Sequence, residues 1–67
     1  MASYKIRFHV TDGTDLTAIF ENKPENIDEV ANELVEQRYN FVKNPDGSGT
    51  LIDMENVCFV YLEKWEG

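Results

Sequence analysis

The chain has 67 residues, of which 13 are acidic and six are basic, so its formal net charge at pH 7 is −7. This length predicts a single domain over residues 1–67, with a small core, because so short a chain buries only roughly 60% of its unfolded surface. A single cysteine excludes an intrachain disulfide, and a hydrophobic content of 42% is too high for a disordered acidic tail.

The compartment and the excluded partners follow from charge and hydropathy. Lys5 and Arg7 interrupt the apolar residues at the N-terminus, so no signal-peptide pattern is present. No stretch approaches the ~20 apolar residues of a membrane span. We therefore expect a cytoplasmic protein that binds neither a membrane nor nucleic acid directly, because acidic surfaces repel phosphate.

The first predicted element is a β-hairpin. Residues 4–10 alternate strictly between apolar and polar side chains, which is typical of a half-buried strand. Its apolar face consists of Tyr4, Ile6, Phe8 and Val10, and its polar face of Lys5, Arg7 and His9. Asp12 and Gly13 favour a turn, and residues 16–20 then predict the second strand.

A single helix is predicted over residues 27–38. Asn26 suits the N-cap position, where its side chain would accept from Glu29 in a reciprocal capping box. Arg38 suits the last turn, where a cation complements the helix dipole. One apolar stripe at helical spacing predicts the buried face, and it consists of Ile27, Val30, Ala31, Leu34 and Val35.

The rest of the chain predicts two or three further strands. Residues 39–43 are β-prone, residues 44–47 have the composition of a type I turn, and residues 50–54 return as a strand. The segment 57–65 is apolar on both faces, which indicates a central or doubly covered strand. One helix covers only one face of a sheet, so the other is covered either by the chain's own segments or by a partner, of which a second copy is the obvious candidate.

These elements predict an α+β fold with a β-hairpin, one helix, and two or three antiparallel strands, the helix packing on one face of an antiparallel sheet. Their order and length resemble the small β-grasp immunoglobulin-binding domains of Gram-positive surface proteins. The ending, residues 56–61, is similar to that of small uncharacterised Firmicute and phage proteins. The second resemblance implies a phage or prophage origin.

Acidic side chains concentrate around the predicted helix. Residues 11–67 carry all 13 acids against four bases, whereas residues 1–10 carry only Lys5 and Arg7. The acids that would line one helix side are Glu25, Glu29, Glu33 and Glu36. This face is either an ordinary solvated surface or an electrostatic surface for a basic partner. In the second case the protein would mimic nucleic acid and inhibit a nucleic-acid enzyme, in the manner of anti-restriction or anti-CRISPR proteins.

The segment 44–55 resembles the calcium loop of EF-hand proteins. Loop positions one, three and five carry Asn44, Asp46 and Ser48, position six is Gly49, and position twelve is Glu55. The resemblance implies calcium binding by this loop. The alternative is an ordinary hairpin turn at Pro45-Asp46-Gly47.

No catalytic residue, cofactor site or metal centre is assigned. His9 is expected on the surface, Cys58 as a buried and inert thiol, and Tyr61 in the core. So short a chain also leaves little volume for a concave pocket of ~300 Å³ or more. We therefore expect a non-enzymatic binding or regulatory protein that acts through protein contacts, as a homodimer or with another protein. The sheet residues expected to contact the partner are Val60, Leu62 and Trp65.

Overall fold

A computed structural model describes residues 1–66, in which one helix packs with antiparallel strands. The elements are β1 (Ala2–Val10), β2 (Asp15–Lys23), α1 (Ile27–Glu36), β3 (Tyr39–Lys43), β4 (Gly49–Asp53), a 3-10 turn (Met54–Asn56) and β5 (Val57–Trp65). The predicted α+β class is confirmed. No helix in residues 1–66 has both the length and the apolar character that crossing a membrane requires.

The strands form two sheets rather than one. The larger sheet has the order β2-β1-β5, with β1 antiparallel to both neighbours, and the smaller is the β3–β4 hairpin. Among residues 1–66, strand β5 therefore lies at an edge and pairs only with β1. The expectation that β5 is central or doubly covered is wrong for the isolated chain, because the alternating β1 occupies the central position.

Both hairpins close with the same turn. At the first, the Gly13 N–H donates to the Val10 carbonyl at 2.9 Å, and the Val10 N–H donates to the Thr14 carbonyl at 2.8 Å. At the second, the Gly47 N–H donates to the Asn44 carbonyl at 3.1 Å. Gly13 and Gly47 have φ angles of +94° and +92°, a left-handed conformation that glycine adopts without steric cost. The predicted N-terminal hairpin and the Asn44–Gly47 turn are confirmed.

The helix begins where predicted but ends earlier. Asn26 is the N-cap, and its Oδ1 accepts from the Asp28 N–H at 2.9 Å rather than from Glu29. The helix ends at Glu36 because Gln37 is already extended, which turns the chain towards β3. Arg38 is therefore outside the helix, and its Nη2 donates to Glu55 Oε2 at 3.0 Å.

The core lies on one face of the larger sheet. Tyr4, Ile6 and Phe8 of β1 are fully buried there, as their alternation predicts, and α1 contributes Val30 and Leu34 while β4 contributes Ile52. The Tyr4 hydroxyl donates to the Pro24 carbonyl at 2.6 Å, which satisfies the one polar atom of that side chain. The opposite face of the sheet, which carries Lys5, Arg7 and His9, is left open.

Candidate protein-binding site

An apolar groove runs between α1 and β5. Its volume is about 400 Å³, which is more than the size of the chain led us to expect. It is lined by Ala31, Leu34, Val35, Met54, Val57, Cys58, Phe59, Val60 and Leu62. None of these side chains is charged, and Val35, which the helical stripe assigned to the buried face, is 74% exposed. The groove is thus an uncharged surface on a strongly acidic chain.

The outer edge of β5 borders this groove. Within residues 1–66, β1 is the only strand that pairs with β5, and the Val57 N–H also donates to the Met54 carbonyl at the start of the strand. A nine-residue edge strand presents a row of unpaired N–H and C=O groups that can pair with another strand. Its only charged side chains are Glu63 and Lys64, near one end. The middle of the edge is therefore open to strand pairing.

Aromatic rings and cations alternate on the open face of the larger sheet. The Phe59 ring stacks on the His9 ring with centroids 4.8 Å apart, and the Arg7 guanidinium lies 5.6 Å from the Tyr61 ring centroid. The Lys5 Nζ lies 5.3 Å from the centroid of the Trp65 ring. These contacts cover part of each ring and allow an aromatic row to remain at the surface.

The predicted sheet residues fall on two different faces. Val60 and Leu62 are half-buried and line the groove together. Trp65 lies on the open face, opposite Ser3 of β1. The structure therefore unites two of the three residues and separates the third, because side chains of odd and even number point to opposite sides of a strand.

Two expectations about β5 side chains are wrong. Cys58 is exposed rather than buried, and Tyr61 is 53% exposed rather than part of the core. Tyr61 is exposed because it lies on the open face of the larger sheet beside Arg7, and Cys58 is exposed because it lines the open groove. His9 lies on the polar face as expected, where its Nδ1 is 2.6 Å from Asp15 Oδ1.

The four acidic residues of the predicted helix face occupy different environments. Glu25 precedes the helix and pairs with Lys64 Nζ at 3.3 Å and with the N-terminal amine at 3.4 Å, and these two partners lower the pKa of its carboxyl. Glu33 lies 3.7 Å from Lys23 Nζ. Glu29 and Glu36 are exposed on the helix. Their role in binding a basic partner stays a prediction.

In the 44–55 segment, oxygen atoms of Asp46, Ser48 and Glu55 that are expected to bind calcium have partners within the chain. Asp46 Oδ1 accepts from the Ser48 N–H at 2.9 Å and from its hydroxyl, and Asn44 Nδ2 donates to Ser48 Oγ at 3.0 Å. Glu55, the ligand expected at loop position twelve, pairs with Arg38, which lies outside the hairpin. No group of three His, Cys, Asp or Glu side chains suited to a metal occurs in residues 1–66.

Ser48→Ala is expected to raise the pKa of Asp46. The hydroxyl and then the N–H of Ser48 donate to this carboxylate, and both stabilise its charged form and lower its pKa. The variant removes the hydroxyl and retains the N–H, so the pKa should rise only part of the way to its ordinary value. An NMR titration of the carboxyl resonances measures this shift. Asp12, whose pKa is lowered by Thr14 in the other hairpin, is the internal control and should not move.

Two exposed apolar surfaces were not predicted from the sequence. One is the helix side of the groove, where Val35 follows the buried Leu34 and was indistinguishable from it by periodicity. The other is the outer face of the β3–β4 hairpin, where Tyr39, Phe41 and Leu51 are exposed. The alternation of Phe41 with the half-buried Val42 was the available signal for that face.

Comparisons with protein-family models, with curated proteins and with solved structures find no match to this chain. The likenesses to β-grasp domains and to small phage proteins therefore remain likenesses of element order and of the C-terminal sequence. A function has to be argued from the groove, the free strand edge and the distribution of charge.

Proposed function

We propose that this chain is a non-enzymatic binding protein that recognises an apolar segment of a protein partner through β5 and the groove beside it. The observation that carries the proposal is the free nine-residue edge of β5 along a groove without charged side chains. Apolar patches of this kind on small soluble proteins mark interaction sites.

The expected binding mode is strand addition. An incoming strand would satisfy the unpaired backbone groups of β5, and these main-chain hydrogen bonds supply affinity without demanding a particular sequence. Specificity would come from alternate side chains of the incoming strand. One set would enter the groove beside Val60 and Leu62, and the other would lie against the aromatic row at Phe59 and Tyr61.

The groove lining also supports binding over catalysis. Cys58 is the one nucleophile among its residues, and no acid, base or hydroxyl group lines the groove with it. A thiol needs a nearby base or cation to become an effective nucleophile. The chemistry of this surface is that of apolar contact and main-chain hydrogen bonding.

The test introduces a charge into the groove without disturbing the core. Val35→Glu places a carboxylate at an exposed position of the lining, and Asn32→Glu adds the same charge at an exposed position of the same helix outside the lining. Tagged wild-type protein and both variants are used to capture proteins from native cytosol, with quantitative mass spectrometry. We expect one or more proteins to be retained by the wild type and Asn32→Glu and reduced more than ten-fold with Val35→Glu. Identical sets for all three baits would refute the proposal.

A further inference from the structure

We infer that the segment bound at this edge is β5 of a second copy, which makes the protein a symmetric dimer with one continuous six-stranded sheet. The strand order would be β2-β1-β5 in one copy, continued as β5-β1-β2 in its partner, with Val60 on the two-fold axis. The inference rests on the proposed function and names the partner of that same site.

The apolar pattern of β5 is the first argument. Val60 and Leu62 lie on the groove side of the strand, and Phe59 and Tyr61 lie on the other. Cys58 also lines the groove, at a β-bulge that shifts the pairing so that Val57 lies opposite Val10. A strand that is apolar on both faces is typical of the middle of a sheet, whereas an edge strand is usually protected by charges or by covering segments. In the chain alone β5 is an edge strand, and in the dimer it becomes one of the two central strands.

The distribution of charge selects a second copy over a basic partner. Val57–Leu62 is a run of six uncharged residues in a chain whose net charge is −7, and the groove lining adds no charge. A basic segment would find no carboxylate in the groove to pair with. A second β5 brings another uncharged apolar strand, so two acidic chains meet where neither has to bury a charge.

The sequence of β5 also favours a register centred near the middle of its uncharged run. An antiparallel pair centred on Val60 places Phe59 opposite the partner's Tyr61 on the open face, and places Cys58 opposite the partner's Leu62 on the groove face. Aromatic and apolar cross-strand pairs of this kind stabilise antiparallel sheets. Centring on Tyr61 would instead place Phe59 opposite the partner's Glu63 and Cys58 opposite the partner's Lys64.

The position of α1 in the two copies also supports this arrangement. The two-fold axis of an antiparallel strand pair is perpendicular to the sheet, so both α1 helices lie on the same face of the combined sheet. The two grooves then adjoin across the axis, and the Val35 side chains of both copies border one shared apolar space. This accounts for a valine that is 74% exposed in the single chain.

Sedimentation equilibrium tests the dimer directly. We expect wild-type protein at ~100 μM to have twice the chain mass of 7.7 kDa, and Val35→Glu to weaken association more than ten-fold while Asn32→Glu matches the wild type apart from a small effect of its added charge. Association of two acidic chains should also strengthen as salt rises from 50 to 500 mM, because salt screens like-charge repulsion. A wild-type protein that stays monomeric at 1 mM in high salt would overturn the inference.

Disulfide trapping tests the register. Leu62→Cys should form intermolecular disulfides with Cys58 of the partner under mild oxidation, because the two positions face each other across the axis. Lys64→Cys keeps the native Cys58 and probes the register centred on Tyr61, and it should cross-link at least ten-fold less. Preferential cross-linking of Lys64→Cys would contradict the register centred on Val60, as would equal cross-linking of both variants.

The two proposals fail in different ways. A monomer that still captures a different protein through the groove, in a manner lost with Val35→Glu, would refute the second copy and leave the proposed function standing. A dimer that is insensitive to Val35→Glu and to disulfide trapping at β5 would associate elsewhere, which would overturn this inference. Circular dichroism of each variant separates loss of association from loss of folding.

Discussion

Phe8→Ala is expected to leave a large fraction of the chain unfolded at 25 °C. Phe8 is fully buried on the central strand, and its ring lies 6.2 Å from that of Phe20, centroid to centroid. Truncating such a residue costs about 3–5 kcal/mol, because transfer energy is lost and a cavity remains. A domain of this length has a total stability of about 3–10 kcal/mol, so this one substitution removes a large share of it.

Urea unfolding followed by circular dichroism measures this loss, at a protein concentration low enough to keep the chain monomeric. Phe59→Ala is the matched control, because it removes the same side chain from the open face of the same sheet, where Phe59 is 49% exposed. We expect this control to lose about 1 kcal/mol or less, with its stacking on His9 as the main contribution. Equal losses in the two variants would contradict the assignment of the core to the Tyr4–Phe8 face.

The sequence predicted those parts of the fold that depend only on residues within one short segment. The alternation in β1 identified its buried face, and Gly13 and Gly47 identified both turns, because a left-handed residue is a local requirement. The helix start was predictable from Asn26 for the same reason. Its end was not, since periodicity continues to Arg38 while the chain turns towards β3 after Glu36.

Local sequence patterns did not predict the order of the strands in the sheet. Residues 57–65 have the apolar pattern of a strand with two neighbours, but a local pattern does not show whether the second neighbour belongs to the same chain. The exposure of Tyr61 has a different cause, since periodicity does not show which face of a sheet is left open, and Cys58 is exposed in the groove. The groove was missed for a related reason, since whether Val35 is covered depends on where β5 lies relative to the helix. Val60 and Leu62 line the groove, and their contact with a partner stays a prediction.

Asn40→Leu is expected to stabilise the fold by about 1–3 kcal/mol. Asn40 is only 6% exposed, on β3 opposite Ile52, and within residues 1–66 its Nδ2 is buried without a hydrogen-bond partner. A buried amide that makes no hydrogen bond has lost its water without replacement, and this desolvation costs about that amount. Leucine has a similar size and shape and no polar atom, so it removes the cost without enlarging the side chain much.

Urea unfolding of Asn40→Leu beside Asn40→Asp decides how this amide acts. The carboxylate of Asn40→Asp is expected to destabilise the fold, because a charge at the same buried site is costlier than an amide. Loss of stability in Asn40→Leu would show that the amide is satisfied by a bound water or another group. A gain in stability together with broadened amide resonances over residues 39–53 would assign Asn40 a further role. The buried amide would then hold β3 and β4 in the register that pairs Asn40 with Ile52, at a cost in stability.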